Sequence, residues 1–118
     1  MSPRFPQSLY SKGVEPDPRF SLANERTFLA WVRTSLALLA AGVALEALRI
    51  PVSPGFRLAS ALVFVALGVL AAMQAWAGWY RTERALRLGR ALPGPTIGVA
   101  IVGGVVLGVV LLTLGSLL

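Results

Sequence analysis

Three long apolar runs constrain this chain more than anything else in it. They cover about residues 27–48, 58–80 and 96–118, and the second and third carry no formal charge. A helix that crosses a bilayer needs roughly 20 predominantly apolar residues, and each run supplies that length. Composition agrees. Hydrophobic residues make up 56% of the 118 and charged residues only 14%, where a soluble domain carries about a quarter. The expected fold is therefore all-α, a three-transmembrane-helix bundle. So small a bundle cannot enclose an aqueous path, so a homo-oligomer is expected wherever anything is conducted.

The runs are separated by proline-rich breaks. Residues 1–20, with Pro3, Pro6, Pro16 and Pro18, read as a flexible cytoplasmic tail. They lack the apolar core of a signal peptide, so the first span is expected to act as its own insertion signal. Residues 21–118 form the membrane domain. Ser21 is a natural helix N-cap ahead of the first run. Pro51 and Pro54 turn the chain between the first two spans. The second run is bracketed by Arg57 and Arg81, with Phe56 at one edge and Trp76, Trp79 and Tyr80 at the other, as interfacial aromatics are. A basic stretch, RTERALRLGR, follows and should continue the second helix for a turn or two before Pro93-Gly94-Pro95 ends it.

Charge sets the expected orientation. Arg4, Lys12, Arg19, Arg26, Arg81, Arg84, Arg87 and Arg90 fall on one side of a three-span chain, against Arg49 and Arg57 on the other. Positive residues stay inside, so the N-terminus is expected in the cytoplasm and the C-terminus outside. The same argument accounts for the net charge of +6 without nucleic acid. The localisation that follows is the inner (plasma) membrane, as a multi-pass protein.

The residue inventory excludes most chemistry. There is no His and no Cys, and the acids are Glu15, Asp17, Glu25, Glu46 and Glu83. None of them pairs at a spacing suited to general acid–base work. No glycine-rich phosphate loop exists, because most of the glycines lie inside apolar runs and the others stand singly. No catalytic residue, metal site or cofactor is expected, and the chain is not read as an enzyme.

What remains is a set of arginines and a set of small residues. On a wheel of the first span, Arg33 lies within about 20° of Arg26, and Ala30, Ala37, Ala40 and Ala44 within about 40° of it. Two readings stay open. Arg33 can snorkel back to the interface while the alanines serve packing. Alternatively the stripe lines a protein interior, where arginines from several subunits form an anion-attracting mouth. Contact of these arginines with lipid phosphate is a third use. Asn24 and Glu25 sit in the helix's first turns, suited to capping or to pairing with an arginine of 81–90. Glu46 is expected to pair with Arg49, three residues on. Arg81, Arg84, Arg87 and Arg90 form a cytoplasmic basic loop for anionic lipid or a phosphorylated ligand. The third span holds Gly104 and Gly108 in a GxxxG arrangement, which favours close helix packing. The second has its own small face, Ala61, Gly68, Ala72 and Ala75.

The run LANERTFLAWVRTSLALLAAGVAL, and within it NERTFLAW followed by Arg33-Thr34-Ser35, resembles the signature of the YidH family, the bacterial members of domain-of-unknown-function family 202. The resemblance covers roughly residues 15–118 and implies a three-helix membrane domain. It also implies kinship with the membrane domain of the eukaryotic vacuolar transporter chaperone. There, such domains assemble around a pore with basic residues on the first helix, and polyphosphate is threaded through it. Asn24, Glu25, Arg26, Thr27, Phe28, Leu29 and Trp31 carry the match. The polymerase and phosphate-sensing domains of that complex have no counterpart here, so polyphosphate synthesis does not carry over. The leading expectation is a homo-oligomer with an arginine-lined mouth at Arg26 and Arg33, supported by Asn24, Glu25 and Trp31, for an anion such as polyphosphate. The alternative is a non-conducting scaffold or accessory subunit that binds anionic lipid or a partner protein.

Overall fold

The computed structural model describes residues 4–94 and 96–118; residues 1–3 and Pro95, with the expectations placed on them, lie outside that set. The order is α1 (Gln7–Tyr10), α2 (Pro18–Ala47), α3 (Pro54–Leu88) and α4 (Thr96–Leu117). Among the described residues there is no strand. The last three helices are long and apolar enough to cross a membrane.

Local chemistry sets the helix ends. Asp17 caps α2 by accepting the Arg19 N–H at 2.9 Å, and Pro18 occupies the first turn, where its missing N–H costs nothing. The helix therefore starts three residues before Ser21. The Arg19 guanidinium also bonds the Asp17 carboxylate and, with the backbone bond, holds its pKa below the ordinary value. Leu48 closes α2, and Arg49 takes a left-handed φ of 48° before Pro51. Pro54 opens α3, which runs for 35 residues, about 52 Å at 1.5 Å per residue. It matches most of the molecule's 60 Å length. Gly89, with φ 67°, closes it. The basic stretch through Leu88 is thus the last two turns of α3 rather than a loop.

α3 is the spine. α2 packs antiparallel along one side and α4 along another; among the described residues the α2 and α4 backbones stay apart, and Thr27, Ala30, Trp31 and Thr34 face Gly98 and Ile101 across an open cavity of about 280 Å³. The core is Leu45, Ala61, Phe64, Leu67, Ala71 and Ile101. Missing side chains allow the approach. A Cβ on Gly42 would sit 2.8 Å from the Ala61 carbonyl oxygen, and one on Gly68 2.7 Å from Leu39. Gly104 abuts Leu67 and Gly108 abuts Phe64 in the same way. The GxxxG pair therefore serves the α3–α4 seam inside one protomer. Of the alanines expected on the small face of α3, Ala61 and Ala75 are buried, but Ala72 is exposed and Ala71 takes its place. Polar groups caught in the seams are satisfied. Ser35 Oγ donates to Gly68 O at 2.7 Å, and Ser60 Oγ to Phe56 O at 2.8 Å. The outer surface carries Leu36, Val43, Leu62, Val99, Val102 and Val106 exposed, as a lipid-facing surface does.

The tail departs from expectation. Read as flexible, residues 4–17 instead fold back onto the last turns of α3. Leu9 is fully buried there. Arg87 donates from Nε to Lys12 O at 2.9 Å and from Nη2 to Tyr10 O at 3.0 Å, while Val14 N–H donates to Arg87 O at 3.0 Å. Arg4 forms a two-pronged pair with Glu15 and stacks over Tyr10, and Phe5 stacks on Trp76. Proline breaks helix in this segment, but it does not prevent docking.

Candidate functional site: the arginine faces of α2 and α3

The seam between α2 and α3 fixes which way every residue of α2 points. Asn24, Ser35, Gly42 and Leu45 are its buried residues. Taking Asn24 as zero at 100° per residue, Ser35 and Gly42 fall within about 20°, whereas Arg26 falls at about 200° and Arg33 at about 180°. Both arginines therefore project directly away from α3, and both are exposed. Neither takes part in a hydrogen bond or ion pair among the described residues. The alanines of the same stripe, Ala30, Ala37 and Ala40, are exposed with them, and Ala44 is half-buried.

Depth follows from the antiparallel pairing. Asn24 Nδ2 donates to Trp79 O at 3.0 Å, and Ser35 meets Gly68. Arg26 thus lies level with the Trp76–Trp79 pair, whose rings are 5.4 Å apart. Arg33 lies about 10 Å farther along the axis, inside the apolar zone.

The supporting residues separate. Asn24 is buried as a tie between helices, not a cap. Glu25 is exposed and makes none of the ion pairs found among the described residues. Trp31 packs against the core. Glu46 does not pair with Arg49. α2 ends at Ala47, so Arg49 is not one helical turn beyond Glu46, and its left-handed φ turns the chain away. Arg57 from the start of α3 takes the carboxylate instead, Nε to Oε1 at 3.3 Å, and donates from Nη1 to Ile50 O.

The four arginines of 81–90 also divide. Arg87 is buried, its guanidinium committed to the tail carbonyls and 3.6 Å from Glu15. Glu83, 3% exposed, turns toward α2 and accepts from Ser21 Oγ at 3.0 Å. Arg81, Arg84 and Arg90 remain together around a surface cavity of about 190 Å³, with Ala85, Ala91 and Pro93. A second cavity of about 240 Å³ joins Asn24, Thr27, Phe28 and Trp31 of α2 to Gln74 and Arg81 of α3. Gln74 holds Arg81 Nη2 at 3.2 Å. Nothing in the sequence marks Gln74, Glu83 or Glu15 for these contacts, because each depends on a partner in another element or on a helix rotation. Among the described residues, no three acids gather as a metal site would require.

Comparison with known proteins matches this architecture to a family. The domain of unknown function DUF202 matches residues 19–85, which hold α2, the turn and nearly all of α3. The chain is 48% identical over 103 residues to Uncharacterized protein Rv2272 of Mycobacterium tuberculosis, covering 86% of this chain and 84% of that one. It is 49% identical over 82 residues to Inner membrane protein YidH of Escherichia coli, covering 69% of this chain and 71% of YidH. No solved structure matches. With its three apolar helices, its α2 signature and this identity to YidH, the chain belongs to the DUF202 family.

Proposed function

We propose that this chain is an inner-membrane protein that assembles as a homo-oligomer and presents Arg26 and Arg33 around a cytoplasmic mouth for an anion such as polyphosphate. One observation carries the reading. The two arginines stand opposite the α2–α3 seam, on an exposed stripe of alanines, with no hydrogen-bond or ion-pair partner among the described residues. Small residues on an outer face let another helix approach in lipid, and stacked arginines attract anions. Three helices, with α2 and α4 on separate sides of α3, are too few to enclose an aqueous path within one protomer. The mouth therefore requires several copies. The N-inside orientation rests on the charge distribution, and the resemblance to the vacuolar transporter chaperone makes polyphosphate the first anion to try. The role proposed is one of binding or passage.

A second reading has its own support. Side chains on a helix lean toward its N-terminus, so Arg33 leans toward the Arg26 level and lipid headgroups. A non-conducting accessory subunit would use both arginines in that way.

Native mass spectrometry in nanodiscs separates the two. The oligomer reading expects one defined multimer. Because the chain has no cysteine, Ala37→Cys should form disulfide-linked dimers while Val106→Cys on exposed α4 should not. Arg33→Ala should then lower polyphosphate binding or flux in liposomes while the multimer persists. A monomer, or Arg33→Ala with unchanged binding and flux, would reject the mouth.

A further inference from the structure

We propose that Arg81, Arg84 and Arg90 form a binding site for a phosphate group at the membrane surface, complete within one protomer. The site goes beyond the mouth at Arg26 and Arg33 and does not depend on assembly. Three features of the chain build it.

The first is the fold of the α3 C-terminus. Arg81 and Arg84 are one turn apart on α3. Gly89 takes the left-handed φ that ends the helix, and the Arg90 N–H folds back to Ala85 O at 2.9 Å. This turn sets Arg90 beside the other two, around one cavity of about 190 Å³.

The second is the sorting of charge. The acid of this stretch, Glu83, is buried toward Ser21 on the opposite side, and Arg87 is spent on the tail. No carboxylate lines the cavity. Three arginines without an acid repel one another, and the side chain that Arg81 Nη2 does meet, Gln74 at 3.2 Å, is neutral, so the cluster lacks a counter-ion.

The third is an unmet donor. Arg84 Nε is buried and finds no acceptor among the described residues. A buried polar atom without a partner is uncommon enough to point to a missing group. Arg81 and Arg90 are exposed and Arg84 half-buried, and all three line the cavity; Arg84 Nε itself is shielded from solvent, so an oxyanion reaches it through a small shift of the guanidinium. Planar guanidiniums match a tetrahedral oxyanion through paired N–H bonds. The site begins one residue beyond Tyr80 of the interfacial aromatics, at headgroup level. The phosphate can belong to an anionic lipid or to a free phosphate chain, and the chemistry of recognition is the same.

The test uses the full chain in phosphatidylcholine nanodiscs, with two probes. Retention of added phosphatidic acid is read by native mass spectrometry, and binding of tripolyphosphate by calorimetry. Arg84→Gln should weaken at least one probe about tenfold, close to the loss of one charge-assisted pair. Arg84→Lys keeps the charge but removes the buried Nε, and should weaken the same probe several-fold. Arg19→Gln removes a charge at an exposed position on the same side and should change it by less than about twofold. Loss of phosphatidic acid alone assigns the phosphate to lipid, and loss of tripolyphosphate alone assigns it to a free chain. The Arg84 effect must also persist in the Arg33→Ala background, which separates this site from the mouth. Absence of binding by both probes, or an Arg84→Gln effect no larger than that of Arg19→Gln, overturns the proposal.

Discussion

Gly13→Ala should release the N-terminal segment from α3 while leaving the membrane bundle intact. Gly13 has φ +59°, and a Cβ there would overlap the Arg87 carbonyl oxygen and sit 2.6 Å from its carbon. Left-handed backbone alone costs an alanine roughly 1 kcal/mol. The overlap is with backbone, which cannot rotate away as a side chain does, so the segment has to back off. Backing off breaks the Val14–Arg87 bond and stretches the two bonds from the Arg87 guanidinium to Tyr10 and Lys12. Charge-assisted bonds contribute about 1.5–3 kcal/mol each, and burial of Leu9 about 1.5–3 kcal/mol. Most of that gain is opposed by the entropy of ordering the segment, about 1–2 kcal/mol per residue. Net docking is therefore small, and a penalty of 1.4 kcal/mol already multiplies the undocked fraction about tenfold. Hydrogen exchange read by mass spectrometry in nanodiscs should show the amides of Leu9, Lys12 and Val14 exchanging at least about tenfold faster. Those of Ala61 to Ala71 should stay unchanged. Gly55→Ala, where nothing lies within 4 Å of a new Cβ, is the control. Unchanged protection at Val14, or an equal loss in the control, would refute the docked segment.

Three further outcomes follow from the same contacts. Gly108→Val should lower the thermal unfolding midpoint in detergent, because a Cβ there already meets Phe64 Cζ at 2.7 Å and overpacking costs about 1–3 kcal/mol; an unchanged midpoint would mean that α4 does not seat on α3 as described. Asn24→Ala should cost about 1 kcal/mol and shift tryptophan emission, by removing the bond to Trp79 O. Acid should undock the segment before it unfolds the bundle. The Arg4 hydrogen bond foremost, assisted by the charges of Arg4 and Arg87, holds the Glu15 carboxyl below its ordinary value. A lowered folded pKa gives a contribution that is complete above the unfolded value of about 4.3 and lost as pH falls through the folded one. The protection factor at Val14, taken against the intrinsic exchange rate at each pH, should therefore fall below about pH 4, and less so in Glu15→Gln, which lacks that contribution at every pH.

The spans were legible because hydropathy is a block property that no neighbour alters, and three apolar runs became three helices. Helix ends were less so. The α2 start moved from Ser21 to Asp17-Pro18 because Asp17 can cap and Pro18 is harmless in the first turn, so the proline that suggested a break marks a beginning. Long-range polar partners were not legible at all. Glu46 meets Arg57 instead of Arg49 because an i, i+3 rule holds only while the helix lasts. The tail's docking depends on Arg87, some 75 residues along the chain from its Lys12 contact. Periodicity placed Arg26 and Arg33 on one face, but only the α3 seam says that this face looks outward. The four arginines of 81–90 looked equivalent in sequence; burial separates one that holds the tail from three that share a cavity.

That separation makes Arg33 the informative residue of the α2 stripe. Arg26 lies level with the interfacial tryptophans, where water and headgroups solvate a guanidinium in any assembly, so its presence argues for no model. Arg33 is about 10 Å deeper. An arginine near the centre of a span costs about 2.5–3.5 kcal/mol by insertion scales, less when it snorkels. No hydrogen bond or ion pair among the described residues offsets that cost, since the α3 side of α2 is taken by Asn24, Ser35 and Gly42. The offset has to come from outside the protomer, as headgroups, as an anion or as the polar face of another copy. The alanines bear on the choice. A helix facing only lipid gains nothing from Ala37 and Ala40 over leucine, and valine and leucine fill many exposed positions of α4, among them Val99, Val102, Val106 and Leu107. The glycines at 42, 68, 104 and 108 are already used in the protomer's own seams. Other small residues are exposed as well, Ala72 on α3 and Ala100 and Gly103 on α4. The alanine stripe, however, is the one that runs directly beneath Arg33, which has no hydrogen-bond or ion-pair partner among the described residues, and that coincidence is what favours a second copy as the source of the offset.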